Sequence, residues 1–402
     1  MPTDTNIRLY PWFKATQSLL FWQAIWFLYF QEALTPAAAI LLYAVYDIVT
    51  TILEVPSGYL SDRLGRRPTL ILSALAMLAG AILLAIGGPF WVFALGQGFL
   101  GLGAALVSGT DSAFLYESLA AEDRADEVER HELRAWRATF TALALSAVTG
   151  GLLYSAAVWL PFATSAAAFC AMVVLTLRFR EPPRRADSPD LTTKEAIATL
   201  GPALRNPVLG WIFALSLLMY VYSHIPFVFG QPFILDALSQ IGLAAEAPMV
   251  SGAVTTLMML LSVGTSIVAP RLRERLGLAA ILLAAFGLQI ALSGALALTS
   301  SAAAIGLLML RMVPDSLSRP FILARIQPLL ADESRATYLS LQSLAGRILF
   351  AATLFLAAGG AAGADQMSHS EIQVILGWYA AAGIGCLATL ALAARRIPVD
   401  PK

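Results

Sequence analysis

Gly58 to Leu70 read G-Y-L-S-D-R-L-G-R-R-P-T-L, two glycines, one carboxylate and three guanidiniums set between two long apolar runs. The cluster has a physical reading of its own. Asp62, Arg63, Arg66 and Arg67 lie where helix ends meet water, so the carboxylate can face the positive end of a neighbouring helix dipole. Arg66 and Arg67 can then reach carboxylates or lipid phosphates. Gly58 and Gly65 permit close helix approach and a tight turn.

Outward from this stretch the chain reads as membrane. Of its 402 residues 58% are hydrophobic and 13% charged, about half the charged share of a soluble domain. The formal net charge of zero says little about partners, because the placement of Lys and Arg matters more than their sum in such a protein. No basic segment interleaved with aromatics appears, so nucleic acid is not an expected partner. Cys170 and Cys386 stand far apart in apolar runs and offer neither a disulfide framework nor a metal spacing. Arg8 and Lys14 precede an aromatic-rich apolar run without a small-residue cleavage site, so the first helix is expected to be retained.

A crossing needs about 20 mostly apolar residues. Such runs fall near 12–31, 36–58, 68–87, 90–117, 136–157, 159–179, 207–233, 249–270, 278–299, 302–324, 337–358 and 372–394. The turns on one side carry only acidic charges, Glu32, Asp236, Glu246, Asp365 and Glu371, whereas the arginines collect on the other. That alternation predicts both termini in the cytoplasm of a multi-pass protein. The proline-rich segment 180–206 divides the spans six and six, giving an N-terminal bundle over 1–179 and a C-terminal bundle over 207–402. A short surface helix is expected within it at Thr192–Leu200. Glu274-Arg275-Leu276-Gly277 echoes Asp62-Arg63-Leu64-Gly65 at the equivalent place of the second half.

Gly58, Leu60, Ser61, Asp62, Arg63, Gly65, Arg66 and Arg67 fit G-x-L-[AS]-D-R-x-G-R-[RK], and the chain thereby resembles the major facilitator superfamily of secondary transporters. The resemblance implies an all-α membrane protein of twelve transmembrane helices in two pseudo-symmetric six-helix bundles, with a substrate site near the midplane. It also implies that the Gly58–Arg67 loop works as a latch at the cytoplasmic gate, with Glu54 and Glu117 as partners for its arginines. Exporters of this superfamily carry an arginine in helix four ahead of G-x-G-x-A and a G-P-x-x-G-G run in helix five. Here Gln97 stands at the first place and Ser146-Ala147 replace the Gly-Pro, while Gly150-Gly151 are kept.

Ionisable groups inside spans are costly and point to sites, relays or ion pairs. Asp47 in span two, near Tyr43 and Glu54 on one face, and Asp111 in span four are the candidates for proton coupling. Gln97, Ala104 and Asp111 repeat every seven residues. Arg311, Asp315 and Arg319 at i, i+4, i+8 are expected to share one face and pair within their helix, and Arg347 lies mid-span in the eleventh. Span seven carries Tyr220 and His224, with Pro226, Gly230 and Pro232 expected to let it bend. Trp22, Gln23 and Trp26 form part of a stripe that either packs or stacks a flat substrate. The run Gly96-x-Gly98-x-x-Gly101-x-Gly103 lies inside an apolar helix and reads as helix packing rather than a nucleotide loop.

These groups predict a secondary active transporter, not an enzyme, without cofactor or metal, in the bacterial inner membrane. A small molecule, protons and the lipid bilayer are its partners, and a monomer is the default. Proton-coupled export of amphipathic compounds is the first expectation. A carrier of an anionic metabolite or chelate through Arg311 and Arg347 is the second, and a transport-inactive receptor on the same fold the third.

Overall fold

The computed structural model describes residues 3–23, 26, 29–30, 34, 36–183, 201, 205–239, 242, 247–298, 305–330, 335–359 and 369–400. Regular structure among them is helical throughout: α1 Asp4–Gln17, α2 Pro36–Leu64, α3 Arg66–Ile86, α4 Phe90–Val107, α5 Thr110–Ala120, α6 Val128–Ala156 and α7 Leu160–Arg178, then α8 Pro207–Ser239, α9 Ala247–Leu276, α10 Leu278–Leu298, α11 Ile305–Leu308, α12 Val313–Ile326, α13 Arg335–Gly359 and α14 His369–Ala394. Seven helical stretches among the described residues are long and apolar enough to cross a membrane. The helix expected at Thr192–Leu200 lies outside the described residues.

The chain clusters into two compact units, Met1–Ala203 with Ile326–Leu344, and Leu204–Arg325 with Ala345–Lys402. In the first, α4 packs against α2 and α3, and α3 also packs on α7. The glycine run of α4 makes this approach possible. A Cβ at Gly101 would stand 2.7 Å from Tyr46 O, and one at Gly103 2.6 Å from Met77 Cγ. Hydroxyls then bridge the close backbones: Ser73 Oγ donates to Gly103 O at 2.7 Å and Ser57 Oγ to Ala105 O at 2.7 Å. Small residues and hydroxyls of this kind hold membrane helices together where water cannot drive association.

Two helices of this unit are broken. The expected first span, 12–31, is not one helix, because α1 ends at Gln17 and a turn occupies 18–23. Neither Gly nor Pro marks that break. Its cause lies on other helices: Phe21 N donates to Ser165 Oγ at 3.0 Å, and a Cβ on Gly150 of α6 would fall 2.0 Å from Phe21 O. The fourth span breaks between α4 and α5 at Ser108 and Gly109, the latter left-handed at φ 72°.

In the second unit α10 packs against α14, α8 and α9. Buried polar tips find backbone acceptors, Trp211 Nε1 to Leu390 O at 3.0 Å and Tyr222 Oη to Tyr379 O at 2.5 Å. In span seven α8 runs as one helix through Pro226, Gly230 and Pro232. Span ten is the interrupted one: residues 309–312 form a turn between α11 and α12, and Pro314 opens α12 where its missing N–H costs nothing.

Candidate functional site

The arginine-rich end of the first unit is built from the Gly58–Leu70 stretch upward. Gly65, at φ +114°, turns the chain from α2 into α3 and places Arg66 at a helix start. The Arg66 guanidinium is buried. It pairs with Asp62 Oδ1 through Nη1 and with Glu117 Oε1 at 2.8 Å through Nη2. Glu117 is shared, because Arg335 Nη1 reaches the same oxygen at 2.9 Å while its guanidinium lies 4.6 Å from the Tyr116 ring centroid. Asp62 Oδ2 accepts from Thr337 N at 2.9 Å and from Thr337 Oγ1, so it sits at the positive end of α13. Burial raises the Asp62 carboxyl above its ordinary range, against the pull of Arg66 and Thr337. Removing one partner from such a buried network costs about 3–5 kcal/mol.

Glu54 is buried and accepts from Ser108 Oγ at the α4–α5 break. Arg63 Nη1 donates to Tyr59 Oη at 3.3 Å and Arg67 Nη2 to Leu177 O at 3.1 Å. Sequence reasoning missed Glu181, which takes the backbone N–H groups of Arg66 and Arg67 at 2.7 and 2.8 Å, as well as Arg335 and Thr337. Only Arg335, a charge at a predicted helix start, carried any signal.

Asp111 opens α5, and Lys14 stands in the last turn of α1 with its Nζ 2.7 Å from Asp111 Oδ2. Asp111 Oδ1 accepts from Ser112 N at 2.8 Å. The carboxylate thus lies at the positive pole of one half-helix and the ammonium at the negative pole of another, where each is favoured. Asp47 is exposed on α2, and Gln97 is buried on α4. The side chain of Tyr43 lies outside the described residues.

Trp22 stacks on Phe162 at 5.2 Å and 8°, with Phe169 edge-on at 5.9 Å, and Trp26 meets Phe30 at 6.2 Å. These tryptophans are engaged in packing. Gln23 ends the turn that breaks the first span.

In the second unit the α11–α12 break corrects the expectation that Arg311, Asp315 and Arg319 share one continuous helix face. Arg311 lies in the turn and its Nε donates to Ser223 O of α8 at 3.1 Å. Asp315 Oδ1 accepts from Gln289 Nε2 of α10 at 3.2 Å, and Arg319 is exposed. His224 stacks on Tyr220 at 4.1 Å, bonds Tyr220 O through Nδ1 at 2.7 Å and lies 5.3 Å from Phe350. Gly346 lets that ring rest on α13, since a Cβ there would come within 2.9 Å of Tyr220 Cγ. Arg311, Arg319 and Arg347 all lie within electrostatic reach of His224. No group of three or more metal-ligating side chains occurs among the described residues.

Residues 15–353 match the family model of the Major Facilitator Superfamily. The chain belongs to that superfamily. Solved structures of superfamily-type transporters share its fold. A bacterial homologue of the iron transporter ferroportin, in an outward-facing state, aligns at a TM-score of 0.72 and 16% identity over 98% of this chain and 100% of that one. The human organic anion transporter MFSD10 aligns at 0.76 and 13% over 97% and 100%, and FucP in the outward conformation at 0.69 and 16% over 98% and 98%. No curated protein matches by sequence. As a member of this superfamily the chain is a multi-pass transport protein for a small molecule, not an enzyme.

Proposed function

We propose that this superfamily member is a proton-coupled secondary carrier of a small organic anion, working by alternating access in the bacterial cytoplasmic membrane with both termini in the cytoplasm. The observation that carries this reading is the charge of the second unit's interior. Arg311, Arg319 and Arg347 lie within electrostatic reach of His224, and Asp315 lies within reach of Arg311 and Arg319. A guanidinium at bilayer depth faces protein, water or an anion, and Arg319 is exposed at mid-helix. Planar guanidiniums suit bidentate binding of carboxylate or phosphonate groups.

Export of amphipathic compounds has less support. The groups that would stack such molecules are used in the fold, Trp22 on Phe162 and Met219, Met258 and Met259 buried. The fold itself serves an organic anion transporter as readily as others. Proton coupling rests on Asp111 and Asp47, carboxylates within membrane helices, the first paired with Lys14 and the second exposed. The Asp62–Arg66–Glu117–Arg335 cluster serves as the cytoplasmic latch that breaks and reforms in each cycle.

The test is a pair of variants assayed for uptake of radiolabelled organic anions into proteoliposomes. Arg311→Gln removes the charge and abolishes uptake, whereas Arg311→Lys keeps a charge and retains part of it. Equal tolerance of both changes contradicts an anion site at Arg311.

A further inference from the structure

One face of α6 changes character along its length. Arg130, Arg134 and Arg137 stand at i, i+4 and i+7, and Leu145, Val148 and Leu152 continue the same stripe towards the far end of the helix. The three apolar side chains are 58%, 55% and 71% exposed, a face that suits acyl chains rather than water. Arg130 and Arg134 are exposed at the other end of the stripe, and Arg137 is half-buried. From Arg137 to the last residue of α6, Ala156, the helix rises about 28 Å, close to the thickness of a hydrocarbon core. Trp159, half-exposed just beyond Ala156, marks one boundary, where indoles collect. Arg137 thus stands at the opposite boundary, with Arg134 and Arg130 one and two turns further out, at headgroup level.

The stripe carries its positive charge with little local compensation. Glu127 is bonded to Arg124 at 2.7 Å and reaches Arg130, itself 62% exposed, only at 3.4 Å. A surface pair of that kind is weak. Glu129 and Glu132 fall off the stripe by helical spacing, and Glu132 is buried. Arg134 lies within electrostatic reach of both Arg137 and His131. Like charges at helical spacing repel, and an anion between them relieves the repulsion.

We propose that this stripe binds an anionic phospholipid, its phosphodiester between Arg134 and Arg137, Arg130 as the outer contact, and its acyl chains along Leu145, Val148 and Leu152. Side chains three or four apart on a helix stand about 5–6 Å from each other, so one phosphate spans a pair. Guanidiniums take phosphate oxygens two at a time. Basic and apolar surface on one face selects a lipid over a soluble phosphate, because only a lipid occupies both. A net negative headgroup is favoured over a zwitterionic one, whose ammonium cancels the phosphate. Each arginine at an anionic surface strengthens attachment about fivefold. A lipid held there ties α6, and α1 packed against it, to the membrane surface. The site is independent of the cargo.

The experiment counts lipid adducts by native mass spectrometry on the full chain in non-ionic detergent, titrated with phosphatidylglycerol or phosphatidylcholine, with inorganic phosphate as competitor. The wild type holds one phosphatidylglycerol at least about tenfold more tightly than phosphatidylcholine, and phosphate does not displace it. Arg130→Gln/Arg134→Gln removes two exposed charges and weakens that first lipid about twentyfold. Arg178→Gln, which removes an exposed arginine at the end of α7, leaves it unchanged. Should the double variant not fold, Arg134→Gln alone carries the comparison with a loss of about fivefold. A double variant, or in its place Arg134→Gln, as tight as the wild type overturns the inference. So does an equal loss in Arg178→Gln, which would show only the general charge of that end. Displacement of phosphatidylglycerol by inorganic phosphate would assign the stripe to a soluble anion and overturn it as well.

Discussion

Glu181 and Asp400 cap equivalent helix starts in the two halves of the chain. Glu181 takes the N–H groups of Arg66 and Arg67 at the start of α3, directly after Gly65, and Asp400 takes Leu278 N at 2.5 Å at the start of α10, directly after Gly277. Both glycines have positive φ, +114° and +83°, which only glycine adopts without strain. Each carboxylate follows the last helix of its half, and the tail before Asp400 is tied down by Arg325 Nε on Val399 O at 2.8 Å. A carboxylate at a helix start is worth about 1 kcal/mol. Glu181→Ala lowers the thermal midpoint in detergent more than Asp400→Ala does, because Glu181 serves two donors. Equal shifts would contradict the ranking.

Glu117 is the centre of the basic-end cluster, since it holds both Arg66 and Arg335. Glu117→Gln therefore leaves two buried guanidiniums short of charge and lowers transport more than Arg335→Lys, which keeps a cation. A double-mutant cycle between Arg66 and Arg335, which share one carboxylate, yields a coupling of about 0.5–3 kcal/mol, read from unfolding midpoints. Additivity within error would show that the two arginines act separately.

Gly150 and Gly151 separate cleanly. A side chain at 150 collides with Phe21 O, while nothing lies within 4 Å of a Cβ at 151. Gly150→Ala thus forces the turn 18–23 to move and lowers folded yield sharply, as overpacking does, by about 1–3 kcal/mol or more. Gly151→Ala expresses like wild type. Size-exclusion recovery of the two variants decides the point.

The turn before α6 is acid-labile. Hydrogen bonds from Arg124 hold the Glu127 carboxyl down to about 2, and burial, with Arg134, lowers His131. A depressed carboxyl stabilises the fold above its ordinary value of 4.5 and loses that contribution as pH falls towards 2. A depressed histidine likewise stabilises it above 6.5 and loses that contribution as pH falls. Protease nicking of residues 121–128 therefore rises in acid, in two stages, and Glu127→Gln removes the lower stage.

Much of the architecture was legible because it is written locally. The glycine–arginine stretch, the apolar runs and the one-sided arginines depend on neighbours within a few residues. What escaped reading is set by contacts distant in sequence. The break at 18–23 is imposed by Gly150 and Ser165 on other helices, and Lys14 meets Asp111 97 residues away. Arg311 was read on one continuous helix with Asp315 from regular spacing, although Pro314 three residues on marked a new helix start.

The central claim is the charge of the cargo, and dissipation of an imposed pH gradient in wild-type proteoliposomes tests it most directly. Organic anions added outside are predicted to drive proton movement into the vesicles, in the same direction as the anion, while lipophilic cations leave the gradient unchanged. A gradient released by lipophilic cations and indifferent to anions would contradict the account.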